Sequence, residues 1–303
     1  MAKLSSLASV SETRRVLDQF GLSTKKALGQ HFLINDGVVS RICDLADITK
    51  HDCVVEVGPG IGTLTVALLQ LAGSVISIER DSDLPAVLQQ TCAPWAQSFT
   101  LLENDALLVQ FEDLPQAPNK LVSNLPYAVA ATIVLDFFLR FPSLESATVM
   151  VQAEVADRMC AQSGSKNYGA YTVKLGLLTK ATGRFSVAEG NFFPPPRVKS
   201  AVVRLDKKEE MLPDDLLHAT MVMADAAFAT RRKTINNSMK TYFTNPLTSD
   251  AVIADHLPEL FERAQIDPRV RGEALDEEAF IELGKAYLAL KISDNLTSLC
   301  GAF

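Results

Sequence analysis

Residues 52–65 read DCVVEVGPGIGTLT, and this stretch decides the fold. Its first half is apolar and β-branched, the pattern of a strand buried on both faces in a parallel sheet. Gly58, Gly60 and Gly62 follow at once. Glycines at the carboxyl end of a first strand let the chain turn sharply and let a ligand approach the backbone, because no Cβ intervenes. The spacing is G-x-G-x-G, which differs from the G-x-G-x-x-G of dinucleotide folds. Residues 63–72 (TLTVALLQLA) then read as a helix.

Outward from this stretch, strand-like and helix-like runs alternate. Strands are expected at 74–78, 99–102, 120–123, 147–151, 185–188 and 200–205. Helices are expected at 84–92, 128–140, 152–161 and 170–180. Such alternation implies an α/β fold, an open parallel sheet with helices on both faces. After Leu205 a charged, Pro-containing stretch (DKKEEMLPDD) interrupts the pattern. Only helical periodicity follows, at 212–229, 231–241, 249–264 and 276–290. The reading is therefore a Rossmann-like catalytic domain over 1–206, with an N-terminal helical extension over 1–35, and a smaller all-α domain over 207–303.

Ligand-type residues recur at strand ends. Glu79 closes the second strand, twenty-one residues after Gly58, where a carboxylate can accept both hydroxyls of a ribose. Asp105 follows the third strand and can accept from an adenine amino group. Together with the glycine loop these describe an adenosine-shaped site at one edge of the sheet. No Walker-type lysine or arginine cluster serves a diphosphate there, so S-adenosyl-L-methionine fits better than NAD.

The fourth strand ends in Asn124-Leu125-Pro126-Tyr127. An adenine amine is a poor nucleophile because its lone pair is delocalised into the ring. A site that accepts both N–H bonds can pyramidalise the nitrogen and aim the lone pair at a methyl group. The Asn124 side-chain oxygen is one acceptor, and a backbone carbonyl held by Pro126 is another. Pro126 also biases Leu125 toward an extended conformation. Tyr127 stacks on the base in this reading. The chemistry is in-line displacement, which needs positioning and desolvation more than a strong base.

Composition limits the alternatives. Hydrophobic residues make up 48% of 303, enough for one large core and a satellite domain. No apolar run reaches the length of a membrane span, and the N-terminus does not read as a secretory signal. The five cysteines form no C-x-x-C pair and the four histidines are scattered, which argues against disulfides and metal and for a reducing, cytoplasmic setting. The net charge of -7 is unevenly spread. Residues 245–300 hold eleven carboxylates against five Lys and Arg. Basic islands lie at Arg14, Arg15, Lys25 and Lys26, at Arg197, Lys199, Arg204, Lys207 and Lys208, and at Arg231, Arg232, Lys233 and Lys240. Taken alone, each island reads as a solvated face.

With these residues in view, the sequence closely resembles the ribosomal RNA adenine dimethyltransferases. The resemblance covers residues 25–290. It rests on Gly29-Gln30-His31-Phe32-Leu33, Glu56 to Thr65, Glu79, Asp105, Asn124 to Tyr127, and Phe192 to Val198 (FFPPPRV). It implies cofactor binding near Gln30, His31, Leu33, Gly58, Gly60, Glu79, Asp105 and Asn124. It implies that Asn124, Leu125, Pro126 and Tyr127 hold the target adenine and that Phe192 stacks on its other face. The residues alone read Phe192, in a Pro-rich turn, as a packing residue. The family usually has Asn where this chain has His31.

Two segments, Gly164 to Gly169 and Arg231 to Ser238, resemble the small-subunit branch of the family. That branch dimethylates two adjacent adenosines in the loop of the 3′-terminal helix of 16S rRNA, in the small subunit or its precursor, with a role in subunit biogenesis. The resemblance thus implies rRNA contacts at Arg197, Lys199, Arg231, Arg232 and Lys233, the last three exposed on a helix. It implies a monomer that uses neither metal nor membrane. The competing readings are a 23S rRNA methyltransferase conferring macrolide resistance, a non-catalytic ribosome-assembly factor, and a small-molecule or DNA methyltransferase.

Overall fold

The computed structural model describes residues 3–24, 30–247 and 251–300. Lys25, Lys26 and Gly29, and the first residues of the helix expected at 249, lie outside the described residues.

In chain order the elements are α1 (Val10–Gln19), β1 (Phe32–Leu33), α2 (Asp36–Ala46), β2 (Cys53–Val57), α3 (Thr63–Leu71), β3 (Ser74–Glu79), α4 (Pro85–Thr91) and β4 (Phe99–Glu103). There follow β5 (Lys120–Asn124), α5 (Ala130–Arg140), β6 (Ser146–Gln152), α6 (Ala153–Met159), α7 (Ala170–Leu178), β7 (Thr179–Val187), β8 (Phe192–Phe193) and β9 (Ser200–Lys207). The remaining helices are α8 (Asp214–Phe228), α9 (Ile235–Phe243), α10 (Leu257–Ala264) and α11 (Glu277–Cys300).

The main sheet has seven strands in the order β4-β3-β2-β5-β6-β9-β7. From β4 to β6 every pairing is parallel, while β9 runs antiparallel to β6, with Gln152 opposite Ser200. The order reverses at β2, so the carboxyl ends of β2 and β5 part at a crevice, the usual ligand position in such sheets. Val54 and Val55 are fully buried in β2, which explains the unbroken apolar run. A second, two-stranded ribbon joins β1 to β8, with Phe32 opposite Phe193 and Leu33 opposite Phe192.

By contacts the chain divides into two compact units, residues 1–156 with 180–207, and residues 157–179 with 208–303. The first holds the sheet. The second includes the segment 157–179, which by chain order sits among the strands. Val173 of α7 and Tyr168 belong to its core, beside Met223, Met239 and Phe280. Within that core α8 and α11 approach so closely that a Cβ on Gly284 would lie 3.0 Å from the Thr220 amide nitrogen.

One expected helix begins later than its periodicity suggests. The helix read at 231–241 starts at Ile235, with Thr234 as its N-cap accepting from the Asn237 amide. Arg231, Arg232 and Lys233 are exposed, but they lie in the turn before the helix rather than on its face.

Candidate active site

A cavity of about 530 Å³ opens at the carboxyl ends of β2, β3, β4 and β5. Its lining includes every residue assigned to the cofactor from sequence: Gln30, His31, Leu33, Gly58, Gly60, Glu79, Asp105 and Asn124. Leu125, Pro126 and Tyr127 line it as well.

The glycine loop is left-handed at Gly58 (φ 69°) and Gly60 (φ 62°), where any side chain is strained. A Cβ on Gly60 would also lie 3.0 Å from the Phe32 ring. The loop leads into α3, whose N-cap Gly62 supplies no side-chain cap. Thr63, the first residue of α3, lines the cavity with a buried hydroxyl that has no hydrogen-bond partner among the described residues. An orphan hydroxyl beside uncapped helical amides suits an anionic or polar ligand group.

Glu79 is 7% exposed. Its Oε1 accepts from the Asp81 amide at 2.7 Å and its Oε2 from the Gly60 amide at 3.4 Å. Burial pushes its carboxyl above the usual range, opposed by these amides. Asp105 sits at the mouth, where Arg80 donates to its Oδ2 at 3.2 Å and the Leu107 amide to its Oδ1 at 3.0 Å. Gln30 Nε2 donates to Asp81 Oδ2 at 2.7 Å, which ties the segment before β1 to the end of β3.

Asn124 donates through Nδ2 to the His31 carbonyl at 3.3 Å, leaving Oδ1 as the acceptor of that amide. The Leu125 amide donates to the Met150 carbonyl at 3.1 Å, which fixes the peptide leading into Pro126. Tyr127 shares a hydrogen bond between its hydroxyl and that of Ser200 at 2.6 Å. Its ring stacks on His31, with centroids 5.9 Å apart.

Phe192 departs from the role the resemblance implied. Its side chain is 2% exposed and packs in the sheet unit's core with Phe32 and Leu33, because β8 pairs with β1. It is not among the residues that line the cavity. Arg197 and Lys199 lie exposed on the loop between β8 and β9. In the other unit Arg231 donates to the Lys166 carbonyl.

Sequence reading passed over several lining residues, among them Glu56, Thr63, Asp81 and Gln152. Glu56 carried a signal, a carboxylate inside an otherwise apolar strand. It is 1% exposed, and the Thr65 and Ser77 hydroxyls donate to its Oε2 at 2.7 and 2.9 Å. Burial pushes its carboxyl from 4.5 up to about 7, against those hydroxyls and with Glu79 adding to the rise. A carboxyl raised on folding contributes stability that is complete below its unfolded value and lost as pH climbs through the folded one. Glu56→Gln should therefore be more stable than the wild type at pH 8.5 by on the order of 3 kcal/mol, at about 1.4 kcal/mol per pKa unit, and so unfold at a higher temperature. The advantage should vanish by pH 4.5 in thermal denaturation. A constant difference across that range would mean that Glu56 does not titrate in it.

The cavity volume lies within the roughly 300–1,000 Å³ typical of cofactor pockets. A glycine cradle, carboxylates after two successive strands and the Asn-Leu-Pro-Tyr turn define an S-adenosyl-L-methionine-dependent methyltransferase of Rossmann-like fold. Among the described residues no helix is long and apolar enough to cross a membrane, and no side-chain cluster could hold a metal ion. The ribosomal RNA adenine dimethylase profile matches residues 21–257. Ribosomal RNA small subunit methyltransferase A of Rhodococcus erythropolis is 40% identical over 279 residues, 90% of this chain and 91% of that protein. Its Staphylococcus aureus counterpart is 36% identical over 284 residues, 91% and 94% of the two chains. A dimethyladenosine transferase from Plasmodium falciparum superposes with a TM-score of 0.70 at 28% identity, covering 84% of this chain and 96% of that one. The chain belongs to the ribosomal RNA adenine dimethylase family.

Proposed function

We propose that the protein dimethylates the exocyclic amines of two adjacent adenosines in the 3′-terminal loop of 16S rRNA, acting as a cytoplasmic monomer on the small subunit or its precursor. The observation that carries the reading is the convergence of Glu79, Asp105 and Asn124 on one cavity. Likeness to the small subunit methyltransferases over 90% of the chain supports this substrate over 23S rRNA.

In this reading Glu79 holds the cofactor's ribose and Asp105 its adenine amine. Thr63 and the amides opening α3 face the polar end. Bound there, S-adenosyl-L-methionine supplies an electrophilic methyl on a sulfonium. Asn124 Oδ1 and the Leu125 carbonyl accept the two N–H bonds of the target amine and turn its lone pair toward that methyl. With the donor bound, that geometry would let the nitrogen take the methyl from sulfur, which would leave as a neutral thioether while the surplus proton went to water. Tyr127, its hydroxyl pinned by Ser200, offers a ring face to the base.

The test is labelled-methyl transfer into undermethylated small subunits, followed by mapping of the modified base. Label in the two adjacent adenosines is expected. Label confined to large-subunit RNA, or none, overturns the assignment.

The exposed turn at Arg231, Arg232 and Lys233 contacts rRNA phosphates in this reading. Changing Arg231 and Arg232 to Glu should weaken particle binding about ten-fold or more and flatten its logarithmic salt slope by roughly 2. Unchanged affinity and slope would make the turn a solvated face.

A further inference from the structure

His31 makes three contacts that join otherwise separate parts of the site. Its Nδ1 lies 2.7 Å from the Pro194 carbonyl. A carbonyl only accepts, so Nδ1 carries the hydrogen. Its ring lies 25° from parallel to that of Tyr127. Its backbone carbonyl receives the Asn124 amide.

These contacts close one end of the β1–β8 ribbon. At the other end the Ile34 amide donates to the Asn191 carbonyl at 2.9 Å, and Asn35 Nδ2 donates to Asn191 Oδ1 at 2.8 Å. The ribbon is thus pinned on both sides of its two paired residues. The loop from Pro194 to Lys199 starts at the His31 pin and ends at β9, where Ser200 holds Tyr127. Tyr127 is therefore held through its ring by His31, which is hydrogen-bonded to the start of that loop, and through its hydroxyl by the residue after its end.

We propose that His31 is a positioning residue for the target base. Its carbonyl aims Asn124 Oδ1, its ring sets the plane of Tyr127, and its Nδ1 tethers the loop that carries Arg197 and Lys199. The inference rests on the methyl-transfer reading above, and it adds a positioning role to a residue that also lines the cofactor cavity.

Two variants separate the contacts. His31→Asn keeps a donor near the Nδ1 position and removes the ring. His31→Phe keeps a ring and removes the donor. Both are measured by calorimetric binding of S-adenosylhomocysteine and by single-turnover methyl transfer into undermethylated small subunits. S-adenosylhomocysteine affinity should fall by clearly less than the rate, while His31→Phe slows transfer about ten-fold through a misplaced base. His31→Asn should raise the particle concentration giving half-maximal rate by about three-fold, and a Tyr127→Leu change should then add less than it does alone. Cofactor-product affinity falling by the same factor as the rate, or fully additive effects at 31 and 127, overturns the proposal. A wild type that transfers no methyl overturns the reaction assignment and this inference with it. An active wild type with insensitive His31 variants overturns this inference alone.

Discussion

Asn124→Ala should lower single-turnover methyl transfer by about 10²–10³-fold, the effect of deleting one preorganised polar group aimed at the reacting atom. The barrier lies in taking an aromatic amine's lone pair out of conjugation. An acceptor fixed in place does this without reorganising during the reaction. Asn124 is fixed in this way, since its Nδ2 is committed to the His31 carbonyl and Oδ1 is the acceptor that remains. The alanine variant loses the acceptor and leaves that carbonyl without its donor, so a smaller drop in cofactor affinity should accompany the loss of rate. Near-normal transfer by Asn124→Ala would remove the assigned role.

Glu79→Ala should weaken S-adenosylhomocysteine binding by about 10²-fold, from two hydrogen bonds to a charged acceptor at about 1.5 kcal/mol each. The same carboxylate receives the Gly60 and Asp81 amides, so its removal also loosens the glycine loop. Burial raises the Glu79 carboxyl above 4.5, and the ionised form is the one that accepts. Wild-type affinity should accordingly fall on acidification at a higher pH than for an ordinary carboxylate, and Glu79→Gln should lose that dependence. Calorimetry across pH checks both. An unchanged alanine variant would place the ribose elsewhere.

The sheet and the cofactor edge were readable in the sequence because both follow from local pattern. A β-branched run ending in G-x-G-x-G has few alternatives, and parallel strands deliver their carboxyl ends to one edge, so Glu79, Asp105 and Asn124 could be grouped without coordinates. The packing of Phe192 against β1 escapes periodicity, because its partner lies some 160 residues earlier and no period reports a two-residue pairing at that range. The residues alone had favoured packing. Thr234 was a legible helix start, yet nothing in Arg231-Arg232-Lys233 breaks a helical pattern, so the expected helix ran back over the basic turn. The grouping of α7 with the later helices had no local signal at all, since it arises from contacts of Tyr168 and Val173 with residues distant in sequence.

The reversed direction of β9 divides labour across the sheet. A parallel strand in that place would begin at the far edge, and the Pro194–Lys199 loop would open away from Asn124. Because β9 starts opposite Gln152, everything between β6 and Ser200 leaves from and returns to the reaction edge. The cofactor grip lies wholly before that excursion. Insertion or replacement within that excursion therefore leaves untouched the half of the sheet that handles the methyl donor.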